Sequence, residues 1–234
     1  MSKVSKRNLS KNIVTAEHLN IFKMLLLIGT MFVMFYTPYL RGLFFEPEQL
    51  VTQLVLISIF ILFWVYKWLR NDRSFIKTPI DYAALGLVFA YFLSTFSAVN
   101  QRLAVSEFLK YAMYFVVFFM LSDLVNSGKE KKIMLWTIVA SALGVCILGI
   151  DSIAGEKIVR VLNSLFKSIH LNINFNELFV EGRIHSTMQY PNGLASYLMG
   201  VFFITIGFAI TSKRWVKCAS SAISFVLLTT FIFT

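Results

Sequence analysis

The residues best suited to chemistry lie in one stretch, Glu181-Gly182-Arg183-Ile184-His185-Ser186-Thr187-Met188-Gln189-Tyr190-Pro191-Asn192-Gly193-Leu194-Ala195-Ser196-Tyr197-Leu198. It is polar as far as Asn192 and apolar beyond it. Arg183 offers a planar guanidinium, the side chain suited to bidentate phosphate contact. Nine residues later, Pro191-Asn192 reads as a helix start, because proline fits the first turn and asparagine accepts from unpaired backbone N–H groups. A helix beginning there points its positive dipole end outward, which favours an anion. A guanidinium folded back beside such a helix end would hold a diphosphate, with Thr187 and Asn192 shaping the turn and the helix start. His185 invites a general-base role, but its setting reads as a solvent-facing loop.

The other ionisable groups offer less. His18, His170 and His185 show no metal-ligand spacing. Glu107 and Lys110, three residues apart and just after Arg102, can pair on one helix face. They read either as substrate-binding groups lining a cavity or as a snorkelling interfacial pair. Asp81, Asp123 and Asp151 fall near the ends of apolar stretches, where the helix dipole or water accommodates them. No acid sits halfway along such a stretch, so a proton relay finds no support. No Walker loop, nucleophile elbow or glycine-rich dinucleotide turn is present.

Read in order, Arg183, Thr187, Pro191, Asn192, Leu194, Ala195, Tyr197 and Leu198 resemble the recurrent element of the O-antigen ligase and polymerase superfamily. That element runs Arg-x-x-Gly-Thr-Phe, a short spacer, then Pro-Asn-x-Leu-Ala-x-Tyr-Leu. Ser186 stands where glycine is usual, and Met188 where an aromatic is usual. The resemblance implies a bacterial membrane enzyme that transfers or polymerises glycans. The donor is a polyprenyl-diphosphate-linked glycan, and the acceptor is a hydroxyl of a saccharide, lipid or protein at the outer face of the cytoplasmic membrane. It implies no cofactor and no metal. Arg183 becomes the catalytic and donor-binding residue, with Thr187 and Asn192 beside it and Glu107 and Lys110 as further substrate-binding candidates. It also implies a second arginine and a catalytic histidine in a later, larger outer loop. The sequence stops before such a loop, so the 234 residues are expected to be an N-terminal portion without the complete active site. The alternatives are a polytopic transporter or flippase of lipid-linked glycan, and a non-catalytic membrane fragment.

Positioning these residues falls to an unusually apolar chain. Hydrophobic residues make up 57% and charged residues 15%, against about 45–50% and about 25% in soluble domains. Mean hydropathy is +0.71. A soluble fold of this length could not hide so much apolar surface. Seven stretches approach the roughly 20 residues that cross a bilayer: 21–40, 50–69, 80–98, 103–125, 133–150, 193–211 and 216–234. They predict an all-α integral membrane protein, a polytopic helical bundle. A basic tail (1–20) precedes five spans (21–150), a long extracytoplasmic loop (151–192) and two more spans (193–234).

The net charge of +10 takes its meaning from this map. Fifteen of the 22 lysines and arginines, Lys67 among them, fall in segments that are cytoplasmic if the N-terminus is cytoplasmic. That is the positive-inside pattern. The charge is therefore a topology signal, and nucleic acid is not an implied partner; membrane lipid is. In the long loop, Ile158, Val161, Leu162, Leu165 and Ile169 form the apolar face of a short helix with Lys157, Arg160 and Lys167 opposite. Beside a membrane, such a helix should lie in the interface. Cys146 and Cys218 sit at different depths, so no disulfide is expected.

Overall fold

The structure, a computed structural model, describes residues 3–75, 78–168 and 175–234, with side chains from residue 18 onward. The helices are α1 (Lys3–Tyr36), α2 (Glu46–Leu69), α3 (Pro79–Ser94), α4 (Gln101–Leu124), α5 (Gly128–Ile153), α6 (Lys157–Ser168), α7 (Pro191–Thr211) and α8 (Arg214–Ile232). Short 3-10 turns occupy Thr37–Tyr39, Arg41–Leu43 and Ser186–Met188, and two-residue strands β1 (Phe179–Val180) and β2 (Arg183–Ile184) pair antiparallel. The all-α expectation therefore holds, with one small hairpin added.

Among the described residues, six helices have the length and apolar composition to cross a membrane: His18–Tyr39 within α1, together with α2, α4, α5, α7 and α8. Their outward faces carry large apolar side chains such as Phe32, Leu54, Phe203 and Ile210, which water would penalise and hydrocarbon accepts. The third predicted stretch is shorter than its apolar run. α3 has 16 residues, and stops at Ser94. There the hydroxyls of Ser94, Thr95 and Ser97 donate to the carbonyls of Tyr91, Phe92 and Ser94 and compete with the helical ladder. At about 1.5 Å per residue, α3 is some 24 Å long, less than a hydrocarbon core of about 30 Å. Its start is well defined: Thr78 and Asp81 form a reciprocal capping box.

The chain forms two compact units. The first comprises Met1–Phe32 and Leu50–Gly128. Here α1 meets α2 where Gly29 lies against Ile59, and α3 stacks on α4 through Tyr91 and Tyr111, whose ring centroids are 3.7 Å apart. The unit also holds an arrangement that charge counting does not reveal. Lys67 is fully buried at the end of α2. Its ammonium lies 3.5 Å from Asp123 Oδ1 and donates to Asp72 Oδ2 and Ser74 Oγ at 3.4 Å. The rings of Phe63, Trp64 and Phe119 surround it at 5.7–5.9 Å. Lys67 is a buried cation joining α2, the loop after it and α4.

The second unit comprises Val33–Gln49 and Lys129–Thr234. α5, α7 and α8 supply its core, including Val145, Leu194, Leu198 and Leu227. Trp136 stacks on Phe208, with centroids 5.0 Å apart. Between α7 and α8, Ser224 Oγ donates to Thr205 Oγ1 at 2.7 Å, the small-residue polar contact that holds helices together in hydrocarbon. Cys146 is buried and Cys218 exposed, both as free thiols.

Candidate functional site

The segment from Leu178 to Asn192 lies in the second unit, and its geometry starts from a two-residue turn. Glu181 and Gly182 have φ values of 52° and 80°. Positive φ at both positions twists a hairpin with the natural hand of its strands. Val180 then faces Arg183, and Phe179 faces Ile184. Successive strand residues point to opposite faces. Ile184 therefore goes inward, 1% exposed, and Arg183 goes outward. Among the described residues, Arg183 makes no ion pair.

Five hydrogen bonds to backbone carbonyls fix what lies beneath Arg183. The Ile184 N–H donates to the Phe233 carbonyl at 2.8 Å, and the His185 and Ser186 N–H groups share the Leu178 carbonyl. The buried Ser186 hydroxyl donates to the Val145 carbonyl of α5 at 2.6 Å. The buried Thr187 hydroxyl donates to the Pro38 carbonyl at 2.9 Å. Gly149 makes the approach possible: a Cβ there would fall 2.7 Å from Ile184 Cγ2 and 3.3 Å from Ser186 Cβ. Tyr39 adds a further tie, donating to the Ser141 carbonyl at 3.0 Å, while Ser141 donates to the Phe35 carbonyl at 2.7 Å.

The turn Arg41–Leu43 packs against the same segment. Arg41, Gly42 and Leu43 all have left-handed backbone, with φ of 51°, 61° and 59°. Gly42 lies beneath Met188, whose Cε would be 2.8 Å from an added Cβ. Phe44 stacks on Tyr190 at 5.9 Å, and the buried Gln49 amide donates to the carbonyls of Leu43 and Phe44. Arg41 lies 3.5 Å from Glu48 and 5.0 Å over the Phe45 ring. Only Gly42 hinted at this turn in sequence. The long-range contacts that bring it to Met188 leave no local pattern.

The sequence-predicted residues thus take different places. Thr187 is an anchor, buried and hydrogen-bonded to backbone. α7 starts at Pro191 as read, but Tyr190 occupies the N-cap without a side-chain cap. Asn192 lies two residues past the N-cap and stands exposed in the first turn. Among the described residues, the N-cap side chain leaves the start of α7 uncapped. Glu107 and Lys110 belong to the first unit, where they form an exposed ion pair of 2.6 Å. His185 is half-buried and held through its backbone, and His170 falls outside the described residues. Asp151 does more than end α5: its Oδ2 accepts from the Ile158 and Val159 N–H groups and caps α6.

Comparison with protein-family models, curated proteins and solved structures finds no match.

Proposed function

We propose that this chain is a membrane glycan transferase of the O-antigen ligase and polymerase type, acting on a polyprenyl-diphosphate-linked donor at the outer face of a bacterial cytoplasmic membrane. The observation that carries the reading is Arg183. It stands exposed on a hairpin whose following residues, Ile184 to Thr187, are hydrogen-bonded to the rest of the unit, eight residues before the first residue of α7. A charge held in place before reaction stabilises a developing anion without reorganisation. In glycan transfer that anion is the departing lipid diphosphate. A second observation supports the resemblance at its weakest point. Ser186, which replaces the usual glycine, has left-handed backbone with φ of 47°. Glycine adopts that conformation most readily, so a glycine there suits the same turn.

In this reading the N-terminus is cytoplasmic, the short α3 crosses a locally thinned bilayer as a seventh span, and residues 151–192 are extracytoplasmic. An acceptor hydroxyl attacks the anomeric carbon of the donor's first sugar, the C–O bond to the diphosphate breaks, and the hydroxyl proton passes to the departing diphosphate. The Arg183 guanidinium binds the diphosphate as the glycosidic bond breaks, and proximity of the two substrates supplies much of the remaining acceleration. Arg183→Ala in the complete protein is expected to abolish surface-glycan assembly while membrane insertion persists. Normal glycan from that variant would sink the assignment. Arg183→Lys is expected to restore little, since a point charge cannot reproduce a bidentate contact. The topology has its own check: Glu181→Cys in a Cys218→Ser background is expected to react with a membrane-impermeant maleimide in intact spheroplasts. Labelling only after lysis would invert the orientation. A flippase would need polar groups near the middle of its spans. The buried Lys67–Asp123 pair closes the ends of α2 and α4 instead.

A further inference from the structure

We infer that α6 is a preformed docking surface for acidic phospholipid headgroups, bound to the bilayer through one half of its apolar arc while the other half is bound to the protein. The inference goes beyond glycan transfer and does not rest on it.

The sequence shows one apolar face, and the structure divides it. At about 100° per residue, Val159, Leu162 and Phe166 share one side of the helix. They pack with Leu148, Phe175 and Leu178. Ile158, Val161 and Leu165 occupy the adjoining side and remain 45%, 59% and 52% exposed. Lys157, Arg160 and Lys167 are exposed on the remaining arc. An apolar strip bordered by three cations fits the acyl boundary with acidic headgroups above it.

Two clamps hold the helix in this attitude. Asp151, in the last turn of the membrane-length helix α5, caps the α6 N-terminus at 2.8 and 3.0 Å. At the other side, the Asn163 side chain accepts from the Phe175 N–H and donates to the Phe175 carbonyl, at 2.9 and 3.0 Å. Arg160 is folded back onto the carbonyls of Gly155 and Glu156, which fixes its guanidinium at the start of the strip. The helix begins four residues beyond the end of a span, so its exposed strip meets the membrane at the headgroup level. Because the helix is already folded and oriented, binding lipid does not have to order it, unlike a segment that folds on contact.

The test uses the full chain with Cys218→Ser and Leu165→Cys, labelled with an environment-sensitive fluorophore; Cys146 is buried and stays unlabelled. The protein is placed in nanodiscs of phosphatidylcholine alone and of phosphatidylcholine with phosphatidylglycerol. A blue-shifted emission, quenched by a nitroxide placed high on the lipid chain and stronger with phosphatidylglycerol, is the expected result. The combined Lys157→Gln, Arg160→Gln and Lys167→Gln variant is expected to lose the phosphatidylglycerol dependence. A water-like emission in both lipids would overturn the docking. Equal emission in both would overturn the acidic-headgroup assignment. The wild-type lipid comparison decides both points even if the triple variant does not fold.

Discussion

Lys67→Met is expected to destabilise the protein by about 3–5 kcal/mol, the usual consequence of leaving a buried charge without its partner. Two carboxylates lean on this one ammonium, Asp72 at 3.4 Å and Asp123 at 3.5 Å, and Lys67 is fully buried. Asp72 also accepts from the Ser74 N–H and hydroxyl at 3.0 and 2.6 Å, so loss of the cation loosens the α2–α3 loop as well. The double variant Lys67→Met, Asp123→Leu should recover most of the loss, because two apolar side chains satisfy a buried site that one charge does not. Lys67→Arg should fall between them, since the bulkier guanidinium must enter a box closed by Phe63, Trp64 and Phe119. Thermal unfolding in a mild detergent measures all three. A single variant as stable as wild type, or a double variant worse than the single, would show that the pair does not hold α2 to α4.

The second large effect is expected at Gly149. Leucine there drives its Cβ into Ile184 and Ser186, the two residues beneath Arg183. Overpacking of this kind costs about 1–3 kcal/mol. Displacing Ser186 also strands a buried hydroxyl that now meets the Val145 carbonyl, a further loss of about 1–3 kcal/mol. The structure relieves both by releasing the hairpin. Trypsin cleavage after Arg183 should then accelerate in reconstituted vesicles, and on the proposed function glycan assembly should fall with it. Gly86→Leu is the matched control: no atom lies within 4 Å of a Cβ there, so cleavage should not change. If Gly149→Leu leaves the rate at Arg183 unaltered, the hairpin is not anchored through α5.

The two predictions depend on features of different legibility. Hydropathy placed the apolar helices because membrane-crossing length leaves a local signal. Pro191 likewise announced the start of α7. The α6 pattern gave the correct helix, yet a wheel cannot say which half of an apolar arc meets protein, and here the halves part company. Glu181-Gly182 carried a turn signal inside a stretch read as polar loop. Lys67 was invisible because its partner Asp123 lies on another helix, and a lysine at a helix end is ordinarily a snorkelling, solvated charge. Thr187 reads as shaping the turn and Ser186 as standing in for a glycine, whereas their hydroxyls donate to Pro38 and Val145, distant backbone carbonyls that no side-chain pattern encodes.

The Lys67–Asp123 contact also sets an order of events during biosynthesis. The ribosome delivers α2 well before α4, and the 56 positions from Lys67 to Asp123 take roughly 3–11 s at about 5–20 residues per second. Throughout that interval the lysine has no Asp123 to meet and must keep its ammonium at the polar edge of the bilayer. Its enclosure by Phe119 and Asp123 is therefore a late event, made after α4 has entered the membrane. A pause or truncation between residues 72 and 123 would leave α2 inserted with its cation still at the surface, a state that quality-control proteases can recognise.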